Sequence, residues 1–185
     1  MKTKNEDKTV FTIGHSTRPI DEFILILSHY QIKLLVDIRS LPGSRYAPQF
    51  NHENLKDSLN KAQLKYVHLQ QLGGRRKTSP DSGNNAWRNK SFRGFADYMQ
   101  TNEFTYGLKE LITLAEKKRT AIMCAEAVPW RCHRSLVADA LLIHGIEVIN
   151  IFSETKSEIH RLTPFAKVNG NEITYPGELN SVKES

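Results

Sequence analysis

No stretch of this chain holds the roughly 20 consecutive apolar residues a bilayer-spanning helix needs, which excludes a helical membrane anchor within it. Cysteine is nearly absent. Cys124 and Cys132 are the only two and lie close together, so no secretory disulfide framework can be drawn. An apolar leader is also missing, because Met1 to Val10 is mostly charged or polar. With no signal peptide in view, the expectation is a cytoplasmic protein with no membrane partner.

Negative charge is the minority: 20 acidic against 26 basic residues, a net charge of +6. Nearly all of that excess sits in one place. Between Gly73 and Arg93 stand Arg75, Arg76, Lys77, Arg88, Lys90 and Arg93, opposed only by Asp81. A basic, Gly/Ser-rich segment of this kind suits an anionic partner. The plainer alternative is a solvated loop that keeps the protein in solution.

What is present is a core-forming α/β pattern. The chain has 185 residues, 39% of them hydrophobic, enough for one domain. We place that domain at residues 9–176, with a tail at 1–8 and a disordered tail at 177–185. Thr9-Val10-Phe11-Thr12-Ile13 reads as a buried strand. Pro19 opens a helix whose Ile20, Phe23, Ile24 and Leu27 form one stripe. Lys33 to Ile38 is a second strand, Asn51 to Ala62 a helix and Leu64 to Leu69 a third strand. A long polar loop from Gln70 to Lys90 is of the kind usually functional or mobile. Two helical patterns follow, around Phe95 to Met99 and Phe104 to Ala115, then a strand at Thr120 to Cys124. A helix from about Cys132 stops at Gly145, and Ile146 to Ile151 is the fifth strand. Such alternation predicts a three-layer sandwich on a mainly parallel five-stranded sheet, for which we draw the order 3-2-1-4-5. Val168 to Ile173, centred on Asn169-Gly170, predicts a small C-terminal hairpin.

Ligands of open α/β sheets bind beyond the carboxyl ends of the strands. The residues there are His15 and Ser16 after strand one; Asp37, Arg39 and Arg45 after strand two; Gly73, Gly74, Arg75 and Arg76 after strand three; and Cys124, Glu126, Arg131, Cys132, His133 and Arg134 around strand four. Each cluster is polar, and together they predict one rim. Three chemistries are compatible with it. Asp37 and Glu126 end or follow strands where a charge is costly unless paired or functional, so they are candidates for acid/base work assisted by His15. Alternatively, they only hold arginines in place. Cys124, near a helix start flanked by arginines, could be a nucleophile, or simply a small buried residue. Cys124, Cys132, His133 and His15 could be metal ligands, but the eight-residue spacing and the adjacency of Cys132 and His133 depart from usual zinc patterns. No metal or cofactor is therefore expected. His52 and His160 read as surface residues. Trp87 and Phe92 could stack on bases or pack against the domain.

Several motifs occur in order: Thr12-Ile13-Gly14-His15-Ser16, Asp37-Ile38-Arg39 with Pro42 and Ser44-Arg45, Leu72-Gly73-Gly74, Gly94-Phe95 with Tyr98-Met99, and Cys124-Ala125-Glu126 with Cys132-His133-Arg134. As a set, and with Leu162 to Ala166 and Tyr175-Pro176, this resembles the domain-of-unknown-function family number 488 over about Phe11 to Pro176. The resemblance implies a compact α/β domain of bacterial or archaeal type and little about the reaction. Some members carry a DNA-repair label, which implies a nucleic-acid partner.

The leading expectation is an enzyme acting on a nucleotide or nucleic acid. Arginines of the rim, with Ser16, Gly73, Gly74, Cys132 and His133, would bind the anion, and Asp37, Glu126, His15 and Cys124 would do the chemistry. A non-catalytic nucleotide or nucleic-acid module and a small-molecule hydrolase or transferase with a Cys nucleophile are the alternatives. Oligomeric state is left open by the sequence.

Overall fold

The computed structural model describes residues 8–178. Of the two expected tails, 1–7 and 179–185 lie outside the described residues. Five strands alternate with helices: β1 (Thr9–Gly14), α1 (Ile20–His29), β2 (Leu34–Asp37), α2 (His52–Lys61), β3 (Lys65–His68), α3 (Lys90–Tyr98), α4 (Asn102–Lys117), β4 (Thr120–Cys124), α5 (Arg134–Ile143) and β5 (Glu147–Ile151). These five strands are parallel. A sixth, β6 (Ser157–Ile159), pairs antiparallel with β5 at the edge. β6 was not foreseen, since its three residues are all exposed and carry no apolar pattern. The C-terminal hairpin is present as β7 (Lys167–Asn169) and β8 (Glu172–Thr174), with Gly170 at a φ of +60° in its turn.

The α/β class is as read, but the lateral order is not. It is β3-β2-β4-β1-β5-β6, with β4 inserted between β2 and β1 where the sequence reading put β1 beside β2. Periodicity cannot separate the two orders. β4 and β1 are both short apolar strands, and a helical crossover, though it more often joins neighbours, can also pass over one strand.

Side chains alternate across the sheet and divide the core in two. On one face Val10, Leu34, Val36, Ile122 and Val148 meet Phe95, Leu108, Leu111, Leu136 and Leu141 of α3, α4 and α5. On the other, Phe11, Ile13, Leu35, Ala121 and Met123 meet Phe23, Leu27, Leu55 and Leu59 of α1 and α2. Helix starts are capped by Asn89 in α3 and Thr101 in α4. No helix among the described residues is long and apolar enough to cross a membrane.

Helix α5 is buried along Arg134 to Leu141 because the C-terminal segment covers its outer side. Asp139 is the fastener. Its carboxylate accepts from His160 Nε2 at 2.8 Å, Thr163 N–H at 3.2 Å and Tyr175 O–H at 2.9 Å. His160 is therefore not the surface residue expected from sequence. Tyr175 also ties down the long loop: Asn84 Oδ1 accepts from the Tyr175 N–H, and the Ala86 N–H donates to the Tyr175 carbonyl. Trp87 stacks on Phe92 at 4.8 Å and meets Phe165 and Tyr175 edge-on or tilted. These aromatics pack against the domain.

Asp139→Ala leaves three donors without their acceptor. We expect a loss of about 3–5 kcal/mol, the usual effect of removing one member of a buried charged network, read as a lower urea midpoint. A variant within about 0.5 kcal/mol of wild type would show that the C-terminal segment is not held through Asp139.

Candidate functional site

The strand order decides what meets. Because β4 lies between β1 and β2, the segments leaving all three strands run side by side. The Cys124 carbonyl accepts from His15 N–H, the Ala125 carbonyl from Ser16 N–H, and the Met123 carbonyl from Ile38 N–H. This crowding explains Gly14. A Cβ there would fall 1.7 Å from the Glu126 carbonyl oxygen, so no side chain fits under the chain leaving β4.

Beyond these strand ends opens a cleft of about 790 Å³. Of the residues singled out from sequence, His15, Arg39, Gly74, Arg75, Arg76, Cys124, Glu126, Arg131, Cys132 and His133 line it. Asp37, Ser16, Arg45, Gly73 and Arg134 do not. Ser40, Lys77, Asn89, Ser91 and Phe92 also line it. Ser40, Asn89 and Ser91 carried no signal beyond being polar loop or cap residues.

Asp37 lies beneath the cleft, fully buried. Its Oδ1 accepts from Arg39 Nε at 2.9 Å and its Oδ2 from Arg39 Nη2 at 2.7 Å, a two-pronged pair. Oδ2 also accepts the Tyr66 hydroxyl at 2.6 Å. Both carboxylate oxygens are thus engaged in holding Arg39. Burial by itself would lower the Arg39 pKa, but the Asp37 hydrogen bonds outweigh it and hold the guanidinium above its ordinary value. Burial, then the charge of Asp37, pushes the Tyr66 phenol up.

Arg39 Nη1 points at His15 Nε2, 3.2 Å away. Since a guanidinium only donates, Nε2 is the acceptor, and the His15 proton sits on Nδ1, bonded to the Ser16 carbonyl at 2.7 Å. The ring stacks on Phe50 at 4.3 Å. Burial lowers the His15 pKa to about 4, with Arg39 adding to the effect and the Ser16 carbonyl opposing it. His15 is therefore a neutral ring wedged between an arginine and a phenyl group.

The floor of the cleft is a sulfur and nitrogen cluster. Cys124 and Cys132 are buried free thiols. His133 Nδ1 lies 3.8 Å from Cys124 Sγ and 3.7 Å from Cys132 Sγ. The opposite nitrogen, Nε2, is 3.0 Å from both the Ile38 and the Leu72 carbonyls. Two acceptors there place the proton on Nε2, so the Nδ1 lone pair faces the sulfurs. The hydrogen bond from the Cys132 thiol lowers the Cys124 pKa against burial, and the Ala125 N–H and nearby Arg134 add to this. The same contact, reinforced by burial, raises Cys132. Arg134 braces the chain above: its Nη1 and Nη2 donate to the Glu126 and Ala127 carbonyls.

The cationic wall is of two kinds. Arg76 is anchored, donating to the Gly73 and Gln70 carbonyls and lying 3.6 Å over the Tyr98 ring. The side chains of Arg75, Lys77 and Arg131 are exposed and have no partner among the described residues. Glu126 is also exposed and is the one carboxylate among the described residues lining the cleft. The basic loop itself is fastened: Asp97 accepts from Ser79 N–H, Ser82 O–H and Asn84 Nδ2.

Two measurements probe this geometry. In the unfolded chain His15 takes up a proton as the pH falls through 6.5, but in the folded protein only near 4. Below pH 6.5 the unfolded state thus binds the extra proton, and stability falls until the pH reaches the folded pKa. The gap in unfolding free energy, measured by urea titration, between wild type and His15→Gln should narrow over this window by up to about 3 kcal/mol; a constant gap would mean the ring titrates normally. A Cβ on Gly74 would lie 2.5 Å from His133 Nδ1, so Gly74→Ala should displace the ring and cost about 2–3 kcal/mol. The control is Gly83→Ala, whose Cβ meets nothing within 4 Å and which should stay within about 1 kcal/mol of wild type.

No curated protein matches the chain, and no solved structure matches it. A family model described as "Domain of unknown function DUF488" matches residues 19–141. That span runs from the start of α1 through most of α5 and includes every cleft residue named above except His15. On a match over more than half its length, the chain belongs to the DUF488 family of domains of unknown function.

Proposed function

We propose that this protein is an enzyme acting on a nucleotide or nucleic acid, bound through its phosphates in the basic cleft. One observation carries the reading: Arg39, Arg75, Arg76, Lys77 and Arg131 share the wall of a single cleft with one carboxylate, Glu126. Clustered guanidinium groups in a concave site favour phosphate, which they can grip with two parallel hydrogen bonds. The size fits as well, since pockets for small ligands and cofactors run to roughly 300–1,000 Å³.

Glu126 favours an enzyme over a passive binding module. A pocket that only held anions would gain nothing from a carboxylate among its cations, because like charges repel the ligand. An exposed carboxylate with no partner among the described residues, beside the bound anion, is placed to accept or donate a proton. Asp37, engaged on both oxygens, serves instead to position Arg39.

The test pairs binding with turnover. Single-stranded oligonucleotides and free nucleotides are titrated by fluorescence anisotropy across salt concentrations. Arg75→Ala, Lys77→Ala and Arg131→Ala combined should flatten the log–log salt slope for single strands by roughly two, at about 0.7 per phosphate contact. Glu126→Gln should bind at least as tightly as wild type yet lose turnover by roughly a hundredfold. Absence of binding at low salt would overturn the whole reading. Tight binding without turnover of any nucleotide or nucleic acid would leave a binding module.

A further inference from the structure

The cleft floor gathers two thiol sulfurs around the free nitrogen of one imidazole. The ligand atoms of Cys124, Cys132 and His133 all lie within 4.8 Å of one another. We propose that these three residues form a binding site for a zinc-type divalent cation, with a fourth coordination position open to the cleft. This deepens the functional reading above, since the site is the floor of the same cleft.

Spacing is the first support. In a tetrahedral site with Zn–S near 2.3 Å and Zn–N near 2.0–2.1 Å, a sulfur and a nitrogen ligand stand about 3.6 Å apart. His133 Nδ1 stands 3.8 and 3.7 Å from the two sulfurs. An inward shift of the side chains would let one ion touch all three.

The surroundings of each ligand are the second support. Metal-bound imidazoles usually donate their remote N–H to a carbonyl, which fixes the tautomer and aims the free nitrogen at the ion. His133 Nε2 does this to two carbonyls at once, Ile38 and Leu72. Gly74 lies against the same ring, where a Cβ would fall 2.5 Å from Nδ1. Cys132 Sγ also meets a backbone N–H, that of Arg134, at 3.5 Å. Such a contact suits a thiolate, the form in which a cysteine binds metal.

The adjacency of Cys132 and His133, unfavourable as a sequence pattern, is resolved by the backbone. Cys132 is extended at φ −135°, just after the Pro129–Arg131 turn, while His133 is already helical at φ −57° as the cap of α5. That change of direction turns both side chains to one point.

Chemistry narrows the ion. Two thiolates and an imidazole favour zinc or another borderline-to-soft cation over magnesium or calcium, which prefer oxygen. Binding releases the two thiol protons to solvent and leaves a neutral centre beside Arg39 and Arg134. All three ligands line the cleft, so the fourth position faces it, and water would occupy it as in three-ligand zinc sites.

The test reads metal rather than activity, so it can fail while anion binding stands, or the reverse. The full chain is purified without a histidine tag or chelators, under reducing conditions, and its zinc is counted by plasma mass spectrometry. About one zinc per chain is expected, as isolated or after reconstitution; less than about one-tenth under both conditions overturns the proposal. Cobalt(II) then replaces zinc in the wild-type protein. Intense tetrahedral visible bands with a thiolate charge-transfer band support the site, and a weak octahedral spectrum without that band overturns it. Cys132→Ser and His133→Gln, checked for folding by circular dichroism, should each weaken zinc binding about a hundredfold or more. Undiminished affinity in either folded variant counts against the site. The cobalt spectrum needs no variant and decides the matter if neither folds.

Discussion

The buried pair of Asp37 and Arg39 is the interaction on which the rim of this domain depends. Neither charge can be left alone in that position. Both side chains are nearly inaccessible to water, and an unpaired charge there would cost several kcal/mol. The pair holds because its remaining hydrogen-bonding capacity is spent locally. Tyr66 donates to Asp37, and Arg39 reaches the Phe50 carbonyl and His15. One ion pair thus links β2, β3, the turn before α2 and the segment after β1. Arg39 also fixes the ring of His15, which burial keeps neutral.

The second organising constraint is the insertion of β4 between β1 and β2. It brings Cys124 to the middle of the sheet, with chain segments pressed against both sides. The cost is steric and falls on Gly14, where no Cβ is tolerated. The return is a floor in which Cys124, from the end of β4, meets Cys132 and His133, from the start of α5. The chain between them is held by Arg134, buried behind it. Rigid supports of this kind are what a precise site needs, because a side chain held from behind need not be ordered on binding.

The outer cations are organised differently. Arg75, Lys77 and Arg131 extend from loops and are free to follow a ligand, whereas Arg39 and Arg76 are already locked by hydrogen bonds. The cleft therefore combines a fixed inner cationic wall with an adaptable outer rim. The loop that carries much of the charge does not hang free. Asp97 and Tyr175 fasten its middle to α3 and to the C-terminal hairpin.

Much of this architecture was determined by the sequence alone. Short apolar, β-branched runs marked the five parallel strands and apolar periods of 3.6 their helices, Asn169-Gly170 marked the hairpin, and the polar residues after each strand marked where a site would lie. Lateral strand order was decided only in three dimensions, because periodicity records whether a residue is buried and not which neighbour buries it. The same holds for individual side chains. Asp37 and Glu126 look alike in sequence, each near the end of an apolar strand, yet one is sealed under Arg39 and the other stands in the cleft. β6 carried no signal, since its pairing uses backbone groups common to all residues. Likewise, nothing local showed that His160 would be buried against Asp139 or that His133 would turn its free nitrogen towards two sulfurs. Those outcomes rest on contacts between residues far apart in the chain, such as His133 with Ile38, 95 residues away, and they exist only once the backbone has brought the partners together.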